Sequence, residues 1–461
     1  MIKHKFSLAL LLAFLLLGGT ACEDLVDDFE FSPNQAPDAP TATITNSVLV
    51  SGIPAIAGDF ARRSAMWTRQ FTGADRQYSA YHNYVTGAGD FNWNSFYTFT
   101  TNQADIVIER AGEFDNRITR GIMLTYKGLL FGTATALWGD IPFSEANRFP
   151  EIEDPRFDAQ ADVYAGVQAL LDEAITDFGS GLGGTIDEGG ARYNDFYFNG
   201  DAAAWRAAAS SLKARYFLHV GNYPAAAAAA RSGISSPAGD MTIKFPGGNY
   251  NQDMNLYHSF IVFDRQDYFD ASDSYMAPML DPASSRYRGN AKTDESARLA
   301  FFYTAAPNYT PNTSAAGMFG RTADFPVITY VETQLILAEA LARTGDNAGA
   351  LQALNAVRAA HAAKFGTTYD PYTAADFQSG GIAFDGDQSL LKEIVEEKYV
   401  SLAGQIEVFN DVRRTKNLLN IPPVTGSQLP QRCLIPQSEI NANANVPSPI
   451  PGFFEPTPVN R

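Results

Sequence analysis

The stretch GIMLTYKGLLFGTATALWGDIPFSEA, residues 121–146, decides the fold. Ile122, Leu124, Leu129, Leu130, Ala134 and Leu137 recur at helical spacing, so residues 121–138 read as a helix with one apolar stripe. The helix has a reason to stop at Gly139. A glycine there can take a left-handed conformation, Asp140 can accept backbone N–H groups in the turn, and Pro142 fixes the departing chain. On its residues alone, Gly139-Asp140-Ile141-Pro142-Phe143 is a structural turn with no ligand role.

The same pattern extends outward. Residues 158–178 repeat the stripe through Val163, Val167, Leu170, Leu171, Ala174 and Ile175, ending before the glycine-rich residues 179–190. Asp201 is placed to cap a helix over 202–220, whose Trp205, Ala209, Leu212 and Phe217 can face a neighbour. Residues 331–343 and 348–363 flank Gly345-Asp346 and read as a helix–turn–helix pair. Glu332, Leu335, Ala338 and Leu341 form one packed face and Ala350, Leu354 and Val357 the other. Residues 389–403 form one more amphipathic helix. Pairs with alanine at the crossings predict a mainly α fold of tetratricopeptide-like helix pairs, although none matches the full consensus spacing. Residues 235–325 differ: they are rich in Gly, Pro, Asn, Asp, Tyr and Phe and carry no helical stripe. They exceed the roughly 15 residues of an ordinary structureless loop. Their aromatic content argues for a folded, loop-rich lobe.

Composition narrows the function. The chain has 461 residues, 45 % hydrophobic and 18 % charged, which excludes wholesale disorder. Its 34 basic and 51 acidic residues give a formal charge of −17, a field that repels nucleic acid and anionic headgroups. No nucleic-acid partner is expected. The 32 Phe, 21 Tyr and 4 Trp residues leave aromatics for a wet binding face.

The N-terminus reads as a targeting segment. Lys3 and Lys5 precede an apolar run, Leu8 to Leu17, and then Gly18-Gly19-Thr20-Ala21-Cys22. That run is shorter than the roughly 20 residues that span a bilayer. Residues 1–21 are therefore a signal peptide. Small residues before a cysteine resemble a bacterial lipobox, in which Cys22 is acylated and becomes the mature N-terminus. Gly19 stands where a lipobox usually has leucine, and plain cleavage by the general signal peptidase is the alternative. Residues 22–40, with Glu23, Asp24, Asp27 and Asp28, then form an anchor and tether, and residues 41–461 one domain. With Cys22 lipidated, Cys433 has no disulfide partner.

Motifs for chemistry are missing. His4, His82, His219, His258 and His361 are far apart, and no H-E-x-x-H or Cys-His zinc spacing occurs, so no metal is expected. There is no G-x-S-x-G elbow, phosphate loop or Rossmann fingerprint, and no cofactor is called for. Asp264, Asp267, Asp270 and Asp273 recur every third residue, but without the EF-hand glycine and ligand alternation they read as a solvated loop face. The chain is expected to be a binding protein and not an enzyme. With 51 acidic residues, a carboxylate pair for glycoside hydrolysis can always be nominated, so sequence leaves that reading open.

Several segments together resemble the SusD/RagB-like nutrient-binding lipoproteins of the bacterial outer membrane. Asn102-Gln103-Ala104-Asp105-Ile106-Val107-Ile108, following Trp93 to Tyr97, is similar to the family's asparagine-led helix. Leu137 through Ala146 looks like its Gly-Asp-[IV]-Pro-[YF] signature. Val163-Tyr164 through Ile175, and Trp205 with Ser211-Leu212-Lys213-Ala214-Arg215, resemble its next helices. Asp294 with Ala297-Arg298-Leu299 resembles an Asp-Pro-Arg-Leu element lacking its proline. Glu332 with Ala338-Glu339-Ala340, Glu396-Glu397-Lys398-Tyr399, Phe409 to Thr415, and Ile435-Pro436 with Glu439 are similar to the closing elements. These residues read physically as fold determinants; Asp411, Arg413 and Arg414 are expected to pair within the chain.

The resemblance implies a lipid-anchored protein on the cell surface, at the outer membrane, that captures a nutrient. It also implies delivery to a SusC-like TonB-dependent transporter. The acidic run after Cys22 resembles a surface-export signal of Bacteroidota lipoproteins, and a solvated linker is the alternative. Sugar rings stack on aromatics while Asn, Asp, Gln or Arg satisfy their hydroxyls, so an oligosaccharide is the expected ligand, with peptide cargo possible. Two regions have that mixture: residues 67–93, and the lobe with Asn249, Tyr250, Asn251, Tyr257, Tyr303, Tyr309 and Phe319. The expected platform is Trp67, Tyr78, Tyr81, Trp93, Tyr268 and Tyr275, with Asn83 and Arg265 as hydroxyl partners. The alternative is a helical-repeat scaffold that binds peptide or protein and has no glycan role.

Overall fold

Helices start where a side chain can satisfy the first free N–H groups. In the computed structural model, which describes residues 39–249, 253–304 and 308–461, Asn116 accepts from Thr119 N at the start of α5 (Arg117–Trp138). Asp201 does the same for Ala203 N and Ala204 N in α7 (Ala202–His219), and Asp346 for Gly349 N in α11 (Asn347–Phe365). The signal peptide, Cys22 and most of the tether lie outside the described residues, as do Tyr250 and Asn251.

The other main helices are α1 (Thr41–Ser51), α2 (Asp59–Trp67), α3 (Arg76–His82), α4 (Asn102–Glu113) and α6 (Gln160–Ser180). After α7 come α8 (Tyr223–Arg231), α9 (Ser296–Phe302), α10 (Tyr330–Arg343), α12 (Ser389–Ser401) and α13 (Glu407–Arg414). Contacts run in series: α4 on α5, α5 on α6, α6 on α7, α7 on α8, α8 on α10, and α10 on both α11 and α12. This is the expected array of helix pairs. Its close approaches depend on small residues. A Cβ on Gly132 would stand 2.2 Å from Tyr216 Cζ, so α5 and α7 meet only with glycine there.

The decisive turn follows its chemistry. Gly139 has φ +87°, and an added Cβ would lie 2.2 Å from Arg432 Nη2. Asp140 Oδ1 accepts from Gln160 N at 2.8 Å, which ties the turn to the start of α6. Ile141–Pro142 (β2) pairs antiparallel with Phe157–Asp158 (β3).

The lobe is irregular, as expected, and is joined to the rest by two short pairings that link distant parts of the chain. Thr72–Gly73 (β1) pairs with Phe269–Asp270 (β5), and Met241–Ile243 (β4) with Phe325–Ile328 (β6), all antiparallel. Ion pairs tie the scaffold helices to one another. Arg215 Nε and Nη2 meet Glu332 at 2.6 and 2.7 Å. Arg414 pairs in the interior with Glu339 at 2.5 Å and Asp411 at 2.5 Å, and at the surface Lys213 reaches the exposed Asp172 at 2.6 Å. The family-like charged residues therefore hold helices together. One apolar core runs from α1 through the lobe to Phe453, and a smaller one lies among α7, α8, α10, α11 and α12.

Candidate functional site

The two aromatic-rich regions meet where α2 and α3 face the lobe segment 256–268. Between them is an open cleft of about 470 Å³, walled by Asp59, Arg62, Arg63, Gln77, Tyr78, Tyr81, Phe260, Asp264 and Arg265. Gly58 precedes α2 because a side chain there would press on Pro54 O, 2.3 Å from an added Cβ. Asp59 then sits in the first turn, where a carboxylate suits the helix dipole.

Asp59 organises the floor. Its Oδ2 lies 2.6 Å from Arg63 Nε and its Oδ1 3.8 Å from Arg62 Nη2, the i+4 and i+3 positions of one helix face. Tyr78 Oη donates to Asp59 Oδ1 at 2.5 Å, and Arg62 Nε donates to the same phenol at 2.8 Å. Burial opposes ionisation of Asp59. The charges of Arg63 and Arg62 and the Tyr78 hydroxyl outweigh it and hold the carboxyl below its ordinary value. Burial pushes the Tyr78 phenol well up, so it stays a neutral donor. The guanidiniums stack on rings: Arg62 is 4.2 Å from the Phe260 centroid and Arg63 4.0 Å from that of Tyr81. Arg63 Nη1 has no hydrogen-bond partner among the described residues.

The walls are wetter. Gln77, Asp264 and Arg265 are exposed. Asp264 Oδ2 accepts the Ser259 hydroxyl at 2.7 Å, and the Arg265 guanidinium lies 6.0 Å from the Tyr268 ring. The cleft thus offers fixed charge-bearing donors and acceptors, with ring edges beside them and water access.

Of the expected residues, Tyr78, Tyr81 and Arg265 line the cleft, and Tyr268 packs 6.3 Å from Tyr78 behind it. The expectation of a solvent-facing aromatic platform needs correction. Trp67, Tyr78, Tyr81, Trp93 and Tyr268 are 1, 2, 8, 7 and 9 % exposed. Trp67 packs on Phe409 and Phe453 and donates Nε1–H to Tyr81 O at 3.2 Å. Trp93 packs on Trp138, Tyr97 and Phe157. Tyr275 lies under the Arg286 guanidinium, 3.8 Å away. Asn83 is exposed, but its amide donates to Ser79 O at 2.8 Å within α3. The reason is area: large rings bury the most apolar surface where helices α2 and α3 meet the lobe and the C-terminal segment, so they fill that core instead of facing water.

Sequence reasoning missed Asp59, Arg62, Arg63, Gln77 and Phe260. The available signal was a charged i, i+3, i+4 triad inside an otherwise apolar segment, IPAIAGDFARRSAMW at 53–67. Three of the four aspartates spaced by three take separate protein partners: Ser259 for Asp264, Ser272 for Asp270, Arg69 and His82 for Asp273. Among the described residues no group of three or more His, Cys, Asp or Glu side chains is placed to hold a metal ion.

Helix pairs in series, a loop-rich lobe and an open polar cleft at their junction define a class of repeat-scaffolded protein. The chain belongs to the SusD-like family, whose model, described as "Starch-binding associating with outer membrane", matches residues 33–433. Similar solved structures include a SusD/RagB family protein from Bacteroides thetaiotaomicron, 21 % identical over 88 % of this chain and 95 % of that one, with TM-score 0.64. A SusD homolog from Parabacteroides distasonis is 16 % identical over 91 % and 98 %, with TM-score 0.70. A chitin-binding SusD homolog from Flavobacterium johnsoniae is 18 % identical over 90 % and 98 %, with TM-score 0.65. No curated protein matches the chain.

Proposed function

We propose that the protein captures an oligosaccharide at the cell surface without turning it over and passes it to a SusC-like TonB-dependent transporter. The observation that carries the reading is the cleft itself: fixed guanidinium, carboxylate, amide and phenol groups beside the edges of Tyr78, Tyr81 and Phe260. Such groups match sugar hydroxyls, while the rings, already stacked under Arg62 and Arg63, offer only their margins beside them. Family membership and the chitin-binding homolog support a glycan as the cargo. An open cleft buries little ligand, so affinity is on the order of micromolar to millimolar. Weak capture suits hand-over.

Arg265→Ala should weaken binding of the preferred oligosaccharide by about 1.5 kcal/mol, roughly tenfold in Kd. Arg265 is exposed and outside any helix, so circular dichroism should not change. Calorimetry against an oligosaccharide panel checks this, and equal affinity in the variant removes Arg265 from the site.

Anchoring rests on Cys22, which lies outside the described residues. A single acyl chain holds a protein only marginally, whereas a bacterial lipoprotein cysteine carries more than one. Cys22→Ala should move the protein from the washed membrane fraction into the soluble one. Retention on membranes would place the anchor elsewhere.

One observation favours the scaffold reading as a second role. A groove of about 840 Å³ runs among the repeats, lined by Tyr223, Arg343, Leu351, Phe377 and Leu390 among others. It suits a protein or peptide segment, and both roles fit one molecule that must hold a glycan and meet a transporter.

A further inference from the structure

The cleft has used up its own ring faces. Arg62 lies 4.2 Å over Phe260 and Arg63 4.0 Å over Tyr81, so a sugar seated there finds donors and acceptors but no open face to stack on. An open ring stands beside it in the chain. Residues Ser259–Asp264 form one π-helical turn, a geometry that recurs at functional sites. Its two phenylalanines meet different surroundings. Phe260 is 8 % exposed and packs 4.6 Å from Tyr78 at the cleft, whereas Phe263 is 51 % exposed.

A lone exposed ring needs no function. Phe263 has polar company. The His258 ring lies 5.9 Å from it, and the Arg321 guanidinium lies 5.9 Å from its centroid. Both neighbours are held from behind. His258 Nδ1 is 3.1 Å from Phe319 O, and a carbonyl only accepts, so Nδ1 carries the proton and Nε2 of the neutral imidazole is a lone-pair acceptor. Arg321 donates Nε–H to Gly247 O at 3.1 Å and Nη2–H to Gly248 O. Its Nη1 and His258 Nε2 have no partner among the described residues, and neither is a buried atom, so both reach solvent. An open ring bordered by a fixed donor and a fixed acceptor suits a sugar unit, whose C–H face stacks while its hydroxyls bond at the margin.

We propose that Phe263, His258 and Arg321 form a second sugar subsite, where Phe263 stacks on a unit of the same oligosaccharide that occupies the cleft. The proposal rests on the glycan reading of the cleft. Continuity carries it: Asp264 lines the cleft and directly follows Phe263, so successive units of one chain reach both. Arg321 Nη1–H donates to the hydroxyls of that unit and His258 Nε2 accepts from them. The cargo class that follows is an oligosaccharide of several units, since a shorter sugar fills the cleft and leaves Phe263 uncovered.

The test titrates the full-length protein, extracted in detergent, with the dimer and the hexamer of the chitin series and of the starch series by calorimetry. The unaltered protein should bind the hexamer of its preferred series more tightly than the dimer. Phe263→Ala should reduce that advantage roughly fivefold, the worth of one stacked ring. Phe263→Leu should reduce it as well, because it keeps apolar bulk without a flat face, and Phe263→Trp should preserve it. Arg265→Ala in the cleft should weaken both lengths alike. A hexamer advantage untouched by Phe263→Ala, or equal binding of dimer and hexamer by the unaltered protein, overturns the subsite and leaves the glycan reading standing. Absence of heat with all four sugars counts against the glycan reading itself, and the subsite falls with it.

Discussion

Arg288→Met is expected to destabilise the folded chain by about 3–5 kcal/mol at pH 8, because it leaves buried carboxylates without their cation. Arg288 is buried and reaches four of them. Its Nη1 meets Glu295 and, at 3.0 Å, Glu397; Nη2 meets Glu393 at 3.0 Å and Nε meets Glu396 at 2.6 Å. Glu295 and Glu397 are 0 and 1 % exposed, and Arg298 is the other guanidinium paired with both. The cluster joins the lobe to α11 and α12, so its loss is a loss of the join and not of a surface ion pair. Burial pushes the Glu393 carboxyl up to about 7, with Arg288 opposing and Glu396 and Glu397 adding to the rise.

The sign of the pH dependence follows. Without Arg288, Glu393 loses the charge that opposes its raised carboxyl, so the folded state holds more protons there than the unfolded chain and stability falls as pH rises. The deficit against the parent should therefore shrink between pH 8 and pH 5. Urea unfolding at both pH values measures it. A deficit under about 1 kcal/mol at pH 8 would mean that water or packing already compensates the cluster.

How much of this was legible depends on what the sequence can encode locally. The helices α5, α6, α7, α10 and α11 were readable because their apolar residues recur at one period and each has a capping residue at one end or both: Asn116, Gly181, Asp201, Thr329 and Asp346. Helix α8 was not: YPAAAAAAR offers no contrast between faces, although Asn222 caps it by accepting from Ala225 N. Helix α1, TATITNSVLVS, has a β-branched composition that suits a strand, and it is helical because its buried face packs on α4. The pairing of Met241 with Ile328 has no local signature.

The site was legible in its regions and not in its residues. Residues 67–93 and the lobe do come together, through β1 with β5 and Tyr78 with Phe260. Composition cannot tell a ring that faces water from one that faces the core, because both are Trp or Tyr in a loop-rich stretch. Charges buried in an apolar helix are more informative, since each needs a partner. Asp59, Arg62 and Arg63 are such a case, and they form the floor of the cleft.

Trp67 distinguishes the two readings most sharply. If the indole is core, Trp67→Ala should cost about 3–5 kcal/mol, the usual range for deleting a large buried aromatic. The structure predicts the core outcome: the ring is 1 % exposed, 5.2 Å from Phe409 of α13 and 5.3 Å from Phe453 near the C-terminus. Its Nε1–H also donates to Tyr81 O, so alanine would remove a buried hydrogen bond as well as open a void, although that carbonyl keeps Tyr84 N. Trp67→Phe should recover most of the packing and lose that hydrogen bond, placing it between parent and alanine variant. Oligosaccharide affinity of whatever protein remains folded should stay within about twofold of the parent, because no atom of the indole lines the cleft. Urea unfolding and calorimetry on the same preparations separate the effects. An alanine variant as stable as the parent but unable to bind oligosaccharide would return Trp67 to the ligand face, and the cleft would then have to be redrawn around it.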